Sequence, residues 1–326
     1  MENKVLSTPV LFLVFNRPDK TEKVFNIIKK VKPRKLYVAA DAPRDGNDKD
    51  KEGCEAVRKI VQQVDWECEP HFLFHEKNLG CTLAGKTAWD WFFSHEDRMI
   101  FIEDDGLASE SFFFYCQELL EKYKDDDRIA YIGGVNYLAF SGDATYFFSR
   151  YCPPTYGMAT WKRVYDLYDY DMKSYDTIRN SDDFVNGFWW KFERDIFRTK
   201  YDRYVQSVKS GKRDNTYDVQ MSYLCWRYHK INIHPNANLV ANIGFDLDGS
   251  NTVVDPNSEI AKFFSRPNEE IDIIKHPSNI EVVKKDEWNY FLKKILLGQN
   301  YYKAMIRFYG NNIIYKVKYI IKKIIS

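Results

Sequence analysis

An α/β fold built on a doubly wound, mainly parallel sheet is predicted by three features of this chain. Strand-length apolar runs alternate with helix-period segments throughout residues 9–130. The first of these runs is almost unbroken in its apolarity, as a strand buried on both faces is. A later one, Arg98-Met-Ile-Phe-Ile-Glu103-Asp104-Asp105, stops on three carboxylates just before a helix-like segment. That places the acids at the carboxyl end of a strand, where open α/β sheets bind ligands.

The elements follow in order. Pro9-Val-Leu-Phe-Leu-Val-Phe15 reads as a buried strand ending at Asn16-Arg17-Pro18. Pro18 suits the first turn of a helix, and Val24, Ile27, Ile28 and Val31 then recur at helical spacing. Lys35-Leu-Tyr-Val-Ala-Ala40 is a second strand, ending at Asp41, and the charged segment Pro43–Lys51 reads as a loop. A helix is expected around Glu55–Val64 and a strand around His71–His75. Asn78-Leu-Gly80 opens a helix through Ala84, Ala88, Trp91 and Phe92. After the strand at Met99–Ile102, Ser109 offers an N-cap and Phe112–Tyr123 a helix. Past Tyr131-Ile-Gly-Gly134 the alternation breaks, and residues 146–175 are aromatic and irregular. A helical stretch near Phe188–Ser207, a helix at Val219–Trp226 and a strand at Ile231–His234 complete the pattern.

Composition narrows the function classes. The 326 residues, 44% of them hydrophobic, suffice for one large α/β domain with a real core. A net charge of +1 argues against bulk nucleic-acid binding. That balance hides an asymmetry, because residues 291–326 carry eight basic side chains and no acid, leaving 40 basic against 47 acidic residues elsewhere. The six cysteines show no C-x-x-C pair, and the polar start passes straight into a strand pattern, so reduced thiols in the cytoplasm are expected. No window approaches the ~18–20 apolar residues of a membrane-spanning helix. Any membrane contact is therefore expected to be peripheral.

A second acidic triplet, Asp125-Asp126-Asp127, lies between a helix pattern and an apolar run, where it reads as a solvated turn. Glu103-Asp104-Asp105 differs because its neighbours fit a site. The residues in question are Phe15-Asn-Arg-Pro18, Asp41, Asn78-Leu-Gly80, Ile102-Glu-Asp-Asp105, Tyr156-Gly-Met-Ala-Thr-Trp161, Tyr217-Asp-Val-Gln220 and Asn238-Leu-Val-Ala-Asn-Ile-Gly244. In this order the chain resembles glycosyltransferases of the GT-A fold. In particular it resembles the bacterial transferases related to the N-acetylglucosaminyltransferase that initiates complex N-glycans.

That resemblance implies a Rossmann-like, mainly parallel mixed sheet and a nucleotide-sugar donor, UDP-linked. It implies a divalent cofactor, Mn²⁺ or Mg²⁺, held by Asp105, with Asp104 contacting the ribose or a metal-bound water and Glu103 behind them. A hard cation with oxygen ligands would hold the diphosphate and stabilise it as it departs. Arg17 and Asp41 are implied to face the nucleobase, Asp41 accepting the uracil imide N–H. A surface ion pair and a turn cap are the plain structural alternatives for these two. Lys86 could reach a phosphate or simply be solvated. Inversion requires a carboxylate to deprotonate the acceptor hydroxyl. By resemblance this base is Asp218, which could equally be a helix cap, with Asp214 and Asp246 as fallbacks. Many relatives carry Thr-His-Thr where this chain has Ser250-Asn251-Thr252, which puts a second protein ligand to the metal in doubt; Asn251 or His276 could substitute.

Residues 1–280 are expected to form one catalytic domain, with a nucleotide-sugar half at 1–130 and an acceptor half at 131–280. Residues 281–326 would be a basic amphipathic helical region. In it Ile313, Val317, Ile320, Ile321 and Ile324 fall on one stripe among Lys316, Lys318, Lys322 and Lys323. This pattern suits a helix on an anionic membrane surface or one packed on its own domain. The first option would place the protein at the inner face of the cytoplasmic membrane, with a lipid-linked glycan as acceptor in surface-polysaccharide synthesis. The alternatives are a nucleotidyltransferase or phosphate-ester hydrolase using the same acids, and a non-catalytic glycan-binding or scaffold protein that kept the fold.

Overall fold

The computed structural model describes residues 5–136, 143–212, 216–244, 259–297 and 299–311. Its first half alternates strand and helix as the sequence predicts: β1 (Val10–Val14), α1 (Pro18–Val31), β2 (Lys35–Ala40), α2 (Asp48–Val61), β3 (Glu69–Phe74), α3 (Gly80–Phe93) and β4 (Arg98–Glu103). These are followed by β5 (Gly106–Ala108), α4 (Glu110–Lys122) and β6 (Ile129–Gly133). The second half holds β7 (Tyr146–Ser149), β8 (Gly157–Trp161), α5 (Lys162–Tyr165), α6 (Tyr175–Ile178), α7 (Asp182–Asn186) and α8 (Lys191–Lys209). Then come α9 (Asp218–Arg227), β9 (Ile231–Pro235), β10 (Val240–Asn242), α10 (Glu259–Phe264) and α11 (Lys284–Tyr290). A π-helical turn at Phe291–Ile295 and a final helix, α12 (301–311), close the described chain.

Eight strands form one sheet in the order β3-β2-β1-β4-β8-β6-β9-β7. The pairs β3-β2, β2-β1, β1-β4 and β6-β9 are parallel, whereas β8 and β7 run against their neighbours. This is the Rossmann-like, mainly parallel mixed sheet that the resemblance implies. The 3-2-1-4 half is the doubly wound order whose strand ends form a ligand crevice. Both faces are covered, so Val10, Leu11, Phe12, Ile100, Phe101 and Ile102 are fully buried. Pro18 starts α1, which turns Val24, Phe25, Ile28 and Val31 inward. Ser109 caps α4 by accepting from the Phe112 N–H at 3.3 Å.

Two expectations need correction. The segment Pro43–Lys51 is not all loop: the Asn47 side chain accepts the Asp50 N–H at 3.1 Å and starts α2 at Asp48, well before the expected start at Glu55. The irregular stretch 146–175 contains two strands, β7 and β8, whose hydrogen bonds come from β9, β4 and β6, distant in sequence. Such pairing leaves little local periodicity to read. Beyond residue 280 the described chain packs on the body. Tyr290 and Phe291 are fully buried in the common core. Arg150 donates to Glu287 at 3.0 Å and to Glu193 at 3.2 Å, tying α11 to α8.

The first part of the expected tail also packs inward. Tyr301, Met305, Phe308 and Tyr309 of α12 lie against the core, and the Tyr309 hydroxyl donates to Asp195 at 2.7 Å. Residues 312–326, which carry the isoleucine stripe and four of the lysines, lie outside the described residues. No described helix is long and apolar enough to cross a membrane.

Candidate functional site

The carboxyl ends of β1, β2 and β4 open on a pocket of about 490 Å³. Its lining includes Arg17, Asp41, Arg44, Asn78, Glu103, Asp104, Asp105, residues 151–156, Lys200, Tyr217, Asp218 and Lys294. Parallel register between β1 and β4 pairs Leu13 with Glu103, so the end of β1 and the acids emerge at one level. Arg17, the N-cap residue of α1, makes no capping bond and instead extends along the acids.

Arg17 is committed to Asp104 and Asp105. Its Nε donates to Asp104 Oδ2 at 3.2 Å, one Nη donates to Asp104 Oδ1, and the same Nη reaches Asp105 Oδ2 at 3.1 Å. Burial works against the guanidinium charge, but the two carboxylates outweigh it and raise its pKa. For Asp104 the balance tips the other way: burial and the Asp105 charge raise its pKa against the pull of Arg17. The guanidinium therefore faces the acids, and the expected nucleobase contact would need it to serve both.

Asp105 keeps one oxygen open. Among the described residues its Oδ1 is buried without a hydrogen-bond partner. Its backbone is clamped by β5 pairing with β10 and by the Ile243 N–H donating to the Asp105 carbonyl at 2.8 Å. Gly244 follows immediately, and a Cβ there would stand 2.3 Å from Asp105 Oδ2. A side chain at that position would fill the cradle. The fit to a hard divalent cation is thus a minimal one: a single carboxylate oxygen, with the remaining ligands to come from phosphate and water, as Mg²⁺-type sites often use. Among the described residues no cluster of three or more His, Cys, Asp or Glu side chains could hold a metal.

Glu103 is held by the Tyr217 hydroxyl, which donates to Oε1. Burial and the Asp105 charge push its pKa up to about 8. Burial thus favours its protonated form.

Asp41 is buried and saturated. The N–H groups of Ala42, Leu79 and Gly80 donate to it at 2.9, 3.0 and 3.0 Å, and Asn78 Nδ2 at 3.1 Å. It lines the pocket while capping the start of α3, the plain structural role that the sequence left open. Asp218 begins α9 and is exposed to the pocket, with Thr216 Oγ1 donating to it. It lines the same pocket as Arg17 and the acids.

Two expected residues lie elsewhere. Lys86 sits one helical turn from Asp90, pairs with it and lies over the Tyr170 ring, and it does not line the pocket. His276 bonds the Tyr146 hydroxyl at 2.9 Å and faces Glu118 at 3.3 Å, also away from the pocket. Asp125-Asp126-Asp127 forms the expected turn, with Asp126 accepting from Arg128. Asp214, Asp246 and Ser250-Asn251-Thr252 lie outside the described residues. The residues that sequence reasoning missed are Arg44, Lys200 and Lys294. Lys294 belongs to the segment read as a tail, and no local pattern marks it.

No protein-family model matches the chain, and no curated protein matches it. Among solved structures it is similar to apo UDP-glucose pyrophosphorylase, at 7% identity over 70% of this chain and 90% of that one, with a TM-score of 0.37. It is similar to HddC from Yersinia pseudotuberculosis at 10% identity, over 48% of this chain and 78% of that one, with a TM-score of 0.30. A third likeness is to 4-diphosphocytidyl-2C-methyl-D-erythritol synthase from Anaerococcus prevotii, at 11% identity over 65% and 85% of the two chains, with a TM-score of 0.32. Likenesses this faint identify no activity.

Proposed function

We propose that this chain is a metal-dependent, inverting glycosyltransferase that moves a sugar from a UDP-linked donor to a glycan hydroxyl in surface-polysaccharide synthesis. The observation that carries the reading is the arrangement of carboxylates in one pocket. Asp105, whose Oδ1 is buried without a hydrogen-bond partner among the described residues, stands at the strand ends beside Arg17, and the exposed Asp218 lines the same pocket. Metal-assisted departure of a diphosphate and deprotonation of an attacking hydroxyl need two such groups on opposite sides of the reacting carbon.

In this reading Asp105 holds Mn²⁺ or Mg²⁺, whose chemistry when bound would be to neutralise the departing diphosphate. Asp104, held by Arg17, faces the ribose side. Asp41 shapes the base end by fixing the Asn78-Leu-Gly80 turn, while Arg17 and Arg44 supply positive charge there. Asp218 takes the proton of the acceptor hydroxyl as that oxygen bonds to the anomeric carbon and the bond to the UDP oxygen breaks. Lys86, paired with Asp90, has no part in this scheme. Exposed Tyr302, Lys303, Ile306 and Arg307 on one side of α12 would let the protein rest on an anionic membrane and meet a lipid-linked acceptor.

The test is calorimetric titration of UDP, GDP and CMP into the protein with and without Mn²⁺, repeated on Asp105→Ala. Metal-dependent UDP binding that the variant lacks supports the donor assignment. Absence of binding by any nucleotide rejects it. Release of pyrophosphate from UTP and a sugar 1-phosphate would replace the transferase with a nucleotidyltransferase.

A further inference from the structure

Asp41 closes β2 at the end of the pocket that the donor reading gives to the base, and its own oxygens are engaged. Oδ1 accepts from the Ala42 and Leu79 N–H groups at 2.9 and 3.0 Å. Oδ2 accepts from Asn78 Nδ2 and from the Leu79 and Gly80 N–H groups at 3.1, 3.2 and 3.0 Å. These contacts fill the roughly four lone-pair sites of a carboxylate. An acceptor for a base at this wall has to come from elsewhere.

Asn78 supplies it. Its Nδ2 donates one hydrogen to Asp41 Oδ2 at 3.1 Å and the other to the Ala42 carbonyl at 2.7 Å. Both partners are oxygens that accept here, so the reverse orientation of the amide would set oxygen against oxygen twice and lose both bonds. The network thereby fixes which way the amide faces. Asn78 lines the pocket, and with both amide hydrogens spent, the amide atom it has left for a ligand is Oδ1. The frame behind it is pinned as well. Gly80 takes φ +73° to close the turn, a conformation that glycine adopts without strain. Arg58 donates to the carbonyls of Asp41 and His75 at 3.4 and 2.8 Å, tying together the chain just past β2 and β3.

An acceptor that cannot turn a donor outward discriminates between bases. Uracil and guanine carry a ring N–H beside a carbonyl, whereas the matching ring nitrogens of cytosine and adenine are acceptors and would face Oδ1 lone pair to lone pair.

We propose that Asn78 selects the base of the donor nucleotide, its Oδ1 accepting the ring N–H of a uracil or guanine base, with Asp41 and the Ala42 carbonyl holding the amide in that orientation. The presence of a nucleotide here rests on the donor reading above. The imide contact that the resemblance implies for Asp41 passes to Asn78.

The experiment pairs nucleotides that differ only at that ring nitrogen, UDP with 3-methyl-UDP and GDP with 1-methyl-GDP, titrated calorimetrically into the full chain in Mn²⁺. The tighter-binding unmethylated nucleotide should exceed its methylated partner about tenfold or more, since a site built around a hydrogen bond rejects a ligand that lacks it. Whether that nucleotide is UDP or GDP identifies the base. Asn78→Ala and Asn78→Ser, whose side chains are too short to take the place of the amide oxygen, should each erase the gap by lowering the unmethylated nucleotide to the level of its partner. A gap that survives in both variants overturns the proposal. So does equal binding of a nucleotide and its methylated partner to the unaltered protein, a result that needs no variant to fold. Either outcome leaves the donor reading standing, because a nucleotide still binds. Binding of no nucleotide to the unaltered protein overturns both.

Discussion

Tyr217 donates its hydroxyl hydrogen to Glu103, and this bond joins the two halves of the candidate site. Tyr217 is the residue from which α9 and Asp218 start, while Glu103 ends β4 and precedes the acids that Arg17 holds. The spacing between the proposed base and the proposed metal ligand is thus set partly by one side-chain contact.

Tyr217→Phe should leave a buried carboxyl oxygen without its donor, at a cost of about 1–3 kcal/mol in urea denaturation. A hydrogen bond to a carboxylate favours its charged form, so its loss should move the Glu103 pKa above its present value of about 8. Carbon-13 NMR titration of the Glu103 carboxyl reads this directly. An unchanged titration would show that the bond does not couple the two elements.

Glu103 also makes stability depend on pH. Its folded pKa, about 8, lies above the ordinary carboxyl value of 4.5, so between these two pH values the folded state holds more protons than the unfolded one. Its contribution to stability therefore falls as pH rises through that window. Glu103→Gln removes the titration. Relative to the unaltered protein the variant should gain stability steadily from about pH 4.5 to pH 8, by roughly a few kcal/mol, and then level off. A pH-independent difference in chemical denaturation would contradict the assignment.

Gly244→Ala places a methyl group 2.3 Å from Asp105 Oδ2, so the carboxylate must turn. A displacement of this kind is expected to lower the transfer rate about 10²-fold and to weaken metal-dependent UDP binding. Circular dichroism should show the fold retained. Wild-type UDP affinity in the variant would mean that Asp105 is not where the metal is held.

Asp218→Asn keeps an acceptor for Thr216 but cannot take a proton. Transfer should drop by about 10²–10⁴-fold while UDP binding stays intact. A cap role alone would instead appear as a small loss of stability with activity preserved, and steady-state rates beside a melting curve separate the two.

Arg150→Met should leave Glu193 and Glu287 buried and facing each other without their cation. Removing one partner of such a network costs about 3–5 kcal/mol. Since Glu287 belongs to α11, limited proteolysis should show the C-terminal segment released first. Uniform destabilisation without early cleavage there would mean that α11 is held chiefly by Tyr290 and Phe291.

The legible part of the site was that built from contiguous residues. Glu103-Asp104-Asp105 stood out because an apolar strand ends there on three charges, whereas Arg17 and Asp41, each just past a strand, were singled out by the resemblance. Ser109 announced its helix because a cap acts within three residues. Asp41 was legible as a position but not as a contact: only the folded turn shows its oxygens filled by the Leu79 and Gly80 amides. The Lys86–Asp90 pair follows from helix spacing, which carries Asp90 one turn along the same face, and it forms regardless of any ligand.

The sequence by itself determined the alternating parallel half of the sheet and the acids at its edge, because local periodicity, caps and chain direction follow from neighbouring residues. Tertiary structure alone decided which side chains share the pocket. β8 finds its partners across the sheet, Tyr217 reaches back to Glu103, and Lys294 arrives from a segment that reads as a tail. Such contacts join residues far apart in the chain and are selected by burial and charge in the assembled core, for which no local pattern is required.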